Sequence, residues 1–245
     1  MTVALAFGPL RCGLALADGL VLPPEFARWQ VAPASGDPLW ELRVAPAAGA
    51  HDGASVTGTD EAVITVSGDH PRALIGALAT ALAQRAPTVG AVVLHAAAVT
   101  VAGGVALLFA PSGTGKSTFA AIAGPRSFAH NAVVVTAGDP PTAWAFPFAG
   151  DARPALDQTG ARAVRLLARL ERGTAPGFEW LPRSLATTTV MRHCARASTL
   201  DALAVERFMI ASALPLRAPF GRLLASRDPR DLDPLDSALA KENRP

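Results

Sequence analysis

The sequence predicts an α/β fold, on three observations. Short apolar runs rich in Val, Leu and Ala recur between Gly, Pro and Asp turns through the first third of the chain. Beyond residue 70, strand-like runs alternate with helix-forming stretches. At the centre, the apolar run Val105 to Phe109 enters a glycine-rich turn, Ala110 to Ser117, which opens straight into a helix-forming segment. We therefore divide the chain into a β-rich N-terminal region over 1–70 and an α/β domain over 71–245. The first is expected to lie as a sheet layer on the second.

Composition narrows the class. The chain has 245 residues, half of them hydrophobic and 17% charged, enough for a sizeable core. A net charge of +2 gives no electrostatic case for nucleic acid. Cys12 and Cys194 are too few for a disulfide framework and make no metal site, so a reduced, cytoplasmic setting is expected. The first 22 residues lack a basic leader and are interrupted by Gly8, Pro9, Arg11 and Asp18, unlike a signal peptide. Ala91 to Ala110 is long and apolar enough to suggest a membrane helix. It is Val-rich, broken by Gly103-Gly104, and runs into the glycine-rich turn. Two buried strands joined by a tight turn are predicted instead, with no membrane partner. A homo-oligomer is left open.

The elements follow in order. Strands are expected at Thr2 to Phe7, Ala27 to Val31, Leu39 to Val44 and Glu61 to Val66, while Leu10 to Leu22 is apolar without a clean period. Ser67 or Asp69 caps a helix that Pro71 opens and that runs to Arg85, with Leu74, Leu78 and Leu82 on one face. A strand over Ala91 to Thr100, the Gly103-Gly104 turn and the central strand come next. The helix after the glycine-rich turn is short and ends at Gly124-Pro125. Strands are expected at Arg126 to Ala129 and Ala132 to Thr136, separated by His130-Asn131. Trp144 to Asp151 reads as extended. A helix over Gly160 to Arg172 would align Arg162, Arg165, Arg169 and Arg172 on one side. Helices over Pro182 to Arg196 and Leu200 to Ala213, a strand within Pro215 to Ser226 and a polar C-terminal helix complete the chain.

The chemistry concentrates in Ala110, Pro111, Ser112, Gly113, Thr114, Gly115, Lys116, Ser117 and Thr118. A phosphate chain needs many donors at once. Gly113 and Gly115 reach φ values closed to other residues, so successive backbone N–H groups can converge on one concavity. The helix opening near Ser117 adds free N–H groups and its positive end. Lys116 would meet the β- and γ-phosphates and the Ser117 hydroxyl would hold Mg²⁺. The pattern is a P-loop with Ala110 in place of its first glycine, which predicts ATP and Mg²⁺ as cofactors. Lysine is nearly absent from this Arg-rich chain. Lys116 and Lys241 are the only two, as if position 116 requires a compact ammonium.

Transporter-type ATPases would need an LSGGQ-type signature and an aliphatic run ending Asp-Glu, and neither follows residue 119. Small GTPases would need an Asn-Lys-x-Asp motif. Leu94-His-Ala-Ala-Ala-Val99, Gly103-Gly104 and Ala110 to Thr118 together resemble the HPr kinase-like proteins of the phosphoenolpyruvate-carboxykinase-like fold. Phe146-Pro-Phe-Ala-Gly150 is similar to a short Pro-aromatic element of that family. Leu167 to Gly173 is similar to its Leu-rich helix ending in Gly, and Leu214 to Arg230 to its closing strand and Arg-Asp-Pro tail. The resemblance runs from about Arg72 to the C-terminus. It implies a serine kinase acting on a peptide or small protein, with an Asp pair after the next strand as base and metal ligand.

Here the chain departs from that pattern. The Asp pair falls at His130-Asn131. His130 is then the candidate base and Asn131 an uncharged metal ligand, or the pair is lost and the protein only holds nucleotide. Asp139 and Asp151 are nearby substitutes. His95 matches the family's Leu-His-Ala element and is expected near the phosphates, although a core-strand histidine fits the same position. The Arg162/165/169/172 stripe is read as a solvated face. Trp144, Phe146, Phe148 and Trp180 are read as packing anchors. His51, His70 and His193 suggest no metal site. A small-metabolite kinase or ATPase is the third reading.

Overall fold

The structure is a computed structural model and describes residues 2–16, 22, 24–32, 40–46, 61–66, 71–146, 160–194, 203–226 and 228–242. Strands β1 (Thr2–Phe7), β2 (Leu10–Leu16), β3 (Trp40–Pro46) and β4 (Glu61–Val66) form a four-stranded sheet in that order. β1 and β2 are an antiparallel hairpin, and β2, β3 and β4 run parallel. The hairpin turns at Gly8 with φ +65°. A Cβ there would sit 2.3 Å from Cδ2 of Trp144, so only glycine lets the turn lie on that indole. Phe7 meets Phe146 at 4.8 Å between ring centroids. Leu5, Phe7 and Leu14 share one buried cluster with Val92, Leu107 and Phe146, so the N-terminal sheet and the rest of the chain have a common core.

Helix α1 (Pro71–Arg85) leads to β5 (Ala91–Leu94), β6 (Ala97–Val101) and β7 (Gly104–Phe109). Then follow α2 (Lys116–Ile122), β8 (Ser127–Ala129), β9 (Val133–Thr136), β10 (Thr142–Ala145), β11 (Ala161–Arg172) and β12 (Gly177–Trp180). Helices α3 (Arg183–His193) and α4 (Ala204–Arg217), strand β13 (Phe220–Ala225) and α5 (Asp233–Glu242) complete the described chain. The second sheet has nine strands in the path β5-β9-β10-β11-β7-β6-β8, with β13 against β11 and β12 against β13. The fold is α/β, with a mixed sheet and five α-helices among the described residues. None of those helices is long and apolar enough to cross a membrane.

Two departures from the sequence reading shape this sheet. The stretch expected as a helix over Gly160 to Arg172 is β11. Its Arg positions mimic a helical repeat, but Val164, Leu166, Ala168 and Leu170 are buried at a period of two, and Leu167 is buried as well. A strand covered on both faces reads as a near-continuous apolar run, which periodicity alone does not separate from a helix. β11 changes partners along its length, from β10 at Ala161–Ala163 to β7 at Val164–Arg169 and β13 at Leu167–Arg172. The single strand expected over Ala91 to Thr100 is likewise two. It breaks at His95-Ala96, where the chain leaves β9 and joins β7.

Smaller differences are local. Pro24–Trp29 is a 3-10 helix where a strand was expected from Ala27, because Pro24 fixes its first turn. α4 continues through Pro215, which sits in its last turn. The helix cap at Ser67 or Asp69 and most of the Phe146 to Asp151 segment lie outside the described residues.

Candidate functional site

β7, β11 and β13 are mutually parallel, and β8 runs the same way because both β7 and β8 are antiparallel to β6. Their carboxyl ends therefore share one edge of the sheet, where open α/β sheets bind ligands. The glycine-rich loop leaves β7 at that edge. His95-Ala96 enters β6 there, His130-Asn131 follows β8, and Arg172 ends β11.

Within the loop, Gly113 has φ +76° and Gly115 φ +109°, values that suit glycine. A Cβ at either would have no neighbour within 4 Å, so backbone conformation rather than crowding requires glycine, and the concavity is open. Gly115 is the N-cap of α2 and offers no side chain to its first N–H groups. Ser117 lies half-buried in the first turn, beside the exposed Thr118. Ala110 packs into the apolar cluster under α2, with Leu108 and Phe119.

Lys116 is 5% exposed. Its Nζ donates to the carbonyls of Ala110 at 2.5 Å and Pro111 at 3.3 Å, and burial lowers its pKa. His95 is exposed as a residue, yet its ring is partly desolvated. That desolvation, then the Lys116 charge, then His193, lower its pKa to about 4, so the imidazole is neutral near pH 7. The His95 N–H donates to the His193 carbonyl at 2.7 Å. The His193 ring stacks at a tilt on Phe109, 5.5 Å between centroids, with Nδ1 2.9 Å from the Thr189 carbonyl. His193 was not singled out from sequence, and nothing local to it could have shown that α3 ends against His95.

The structure thus brings His95 and Lys116 together, but it places His130 differently. His130 is fully buried, and its Nε2 shares a 2.9 Å hydrogen bond with Ser127 Oγ. Among the described residues its Nδ1 has no partner, and burial lowers its pKa. Asn131 is half-buried beside it, at the edge shared with the loop but two strands away from β7. Asp139 is at the wrong end: its turn pairs Pro141 with Val164, opposite Val105 at the start of β7. Asp151, Phe148, His51 and His70 lie outside the described residues. Among those described, no three His, Cys, Asp or Glu side chains cluster as a metal site.

The arginine stripe disperses along β11. Arg169 pairs with Glu171 at 2.9 Å. Arg172 instead reaches the loop, donating from Nη2 to the Gly113 carbonyl at 3.0 Å and from Nε to the Thr114 carbonyl at 3.3 Å. Across a planar trans peptide, C=O and the following N–H point opposite ways. Drawing the Thr114 carbonyl to Arg172 therefore turns the Gly115 N–H to the other side of the loop, while the Thr114 N–H donates to the Pro111 carbonyl at 3.3 Å. A groove beside α2, walled by Phe119, Ile122 and Leu170 with Thr114 and Arg172 at its polar side, adjoins the loop. Trp144 and Phe146 are packing groups against the N-terminal sheet, as expected. Trp180 is 42% exposed and packs edge-on against Phe178.

No protein-family model matches this chain, and a search of curated proteins finds no match. A buried ammonium, an uncrowded glycine turn, a hydroxyl in the first helical turn and a neutral imidazole suit a polyanionic ligand and a proton transfer beside it.

Proposed function

We propose that the Ala110–Ser117 loop is a P-loop within a carboxykinase-like fold. On this reading it binds ATP with Mg²⁺, and the protein passes the γ-phosphoryl group to a serine hydroxyl of a peptide or small protein. The observation that carries this is Lys116, a buried ammonium in a chain with two lysines, held among the described residues by carbonyls of its own loop. Burying a charge on neutral carbonyls is costly, and an anion against it removes the cost. Backbone N–H groups of the loop would cradle the phosphates. Ser117 and Asn131 would hold Mg²⁺, which supplies neutralising charge.

His95 is the candidate base. It is neutral, open to solvent and within the field of Lys116. Phosphate oxygens beside Lys116 would cancel that field and raise the His95 pKa towards the working range. The serine oxygen would then bond to the γ-phosphorus, the bond to the β,γ-bridging oxygen would break, and His95 would take the hydroxyl proton.

A second reading, nucleotide binding without transfer, is favoured by one observation. The residue that the family pattern puts at the base position, His130, is fully buried and engaged by Ser127. Calorimetric titration with ATP, with Mg²⁺ or with a chelator, tests both. Mg²⁺-dependent binding that Lys116→Ala weakens at least about a hundredfold is expected, given the several charged hydrogen bonds lost. No binding of ATP by the native chain would overturn both readings. Binding without any ADP release on a library of serine peptides would leave the second.

A further inference from the structure

We propose that the outer face of α4 is a self-association surface that pairs two copies of this chain antiparallel about a twofold axis. Four of the seven large hydrophobic side chains exposed among the described residues lie on this one helix: Val205, Phe208, Met209 and Leu216. At about 100° per residue they form a single stripe, opposite the buried Arg207, Ala211 and Leu214. The helix is therefore apolar on two sides. One side packs on α3 and the core, while the other faces water. A stripe of this kind is what an interface leaves on a separate chain.

The pattern of the stripe names its partner. Pairing two copies antiparallel, centred between Ile210 and Ala211, lays one apolar stripe on the other and sets Val205 opposite Leu216. Glu206 and Arg217 both lie on one flank of the stripe, near opposite ends of α4. A twofold axis perpendicular to the helices keeps each residue on its own flank and reverses the ends. Glu206 of one copy then comes within about 3 Å, along the helix axis, of the level of Arg217 in the other, given the rise per residue. Two ion pairs result by symmetry. A parallel pairing would instead set the two Glu206 residues level on opposite flanks, far from either Arg217, and form no ion pair. Arg217 donates through Nη1 to the Ala137 carbonyl and retains further donors for a carboxylate.

Sedimentation equilibrium of the full chain from about 1 to 200 µM tests this. One helix pair is a small interface, so a dissociation constant on the order of 10 µM is expected. Met209→Glu, at a position 62% exposed, should raise that constant at least about a hundredfold while leaving the circular dichroism spectrum unchanged. Glu206→Arg and Arg217→Glu should each weaken the dimer about tenfold, and the two together should restore it. A native chain that stays monomeric throughout overturns the proposal, as does a dimer indifferent to Met209→Glu. Failure of the double charge exchange to restore association overturns the antiparallel register, and with it the argument for a second copy.

Discussion

The glycine-rich loop and the His130-Asn131 turn follow strands at the same sheet edge, two places apart, yet they differ in what they open to solvent. Pro111, Ser112 and Gly113 are exposed, and a Cβ at Gly113 or Gly115 would meet nothing within 4 Å. His130 has no exposed surface and spends its Nε2 on Ser127. Two residues can stand at equivalent ends of parallel strands and differ wholly in chemistry, because depth below the edge decides which can meet a substrate. On the proposed reading His95, which approaches the loop from β6, would take the role that the sequence pattern offered to His130.

The sharpest break of that comparison is a pair of substitutions. His95→Ala should lower phosphoryl transfer by at least about a hundredfold with ATP affinity kept, the scale of a lost general base. His130→Ala should instead destabilise the fold by about 2 kcal/mol, through a small cavity and the stranded Ser127 hydroxyl, with transfer rate per folded molecule unchanged. Turnover and urea unfolding on both variants separate the two roles. Loss of turnover in a stably folded His130→Ala would reverse the assignment.

A smaller effect concerns how the loop is held. Arg172→Ala frees the Gly113 and Thr114 carbonyls, so the Gly115 N–H opposite is no longer aimed. ATP affinity should fall about tenfold, the worth of about one charge-assisted hydrogen bond. Arg172→Lys should recover little of it, because a point charge cannot bridge two successive carbonyls as a planar fork does. Full recovery by lysine would mean that charge near the phosphates, not loop geometry, is what Arg172 supplies.

What the sequence made legible is what local chemistry dictates. Gly113 and Gly115 mark positive φ, the run Val105 to Phe109 marks a buried strand, and both are found. β11 was misread because its arginines happen to recur at helical spacing, while the evidence for a strand lies in which neighbours cover it. The Arg172 clamp was hidden by the same error. On a helix Arg172 would have shared a face with Arg165 and Arg169, whereas on a strand it ends beside the loop. The contact of His193 with Phe109 and His95 joins segments far apart in sequence, and no spacing rule reports it.

The smallest effect is a pH dependence that again separates exposed from buried imidazole. His95 and His130 both have folded-state pKa values below the ordinary 6.5, His95 at about 4. For each, the unfolded chain binds the proton more readily, so stability is fully present above about pH 6.5 and declines as pH falls below it. His95 is open to solvent and should contribute little to that decline. The larger part should come from His130, whose ring must be charged without a partner for Nδ1 among the described residues. Asp228 adds nothing in this window. Hydrogen bonds from Arg230 hold its pKa at about 2, so its contribution is lost only as pH falls below about 4 towards 2. Melting temperatures from pH 7.5 to 5 should therefore slope downward in the native chain and in His95→Gln. They should flatten in His130→Gln, because a neutral amide at that depth has no proton to take up.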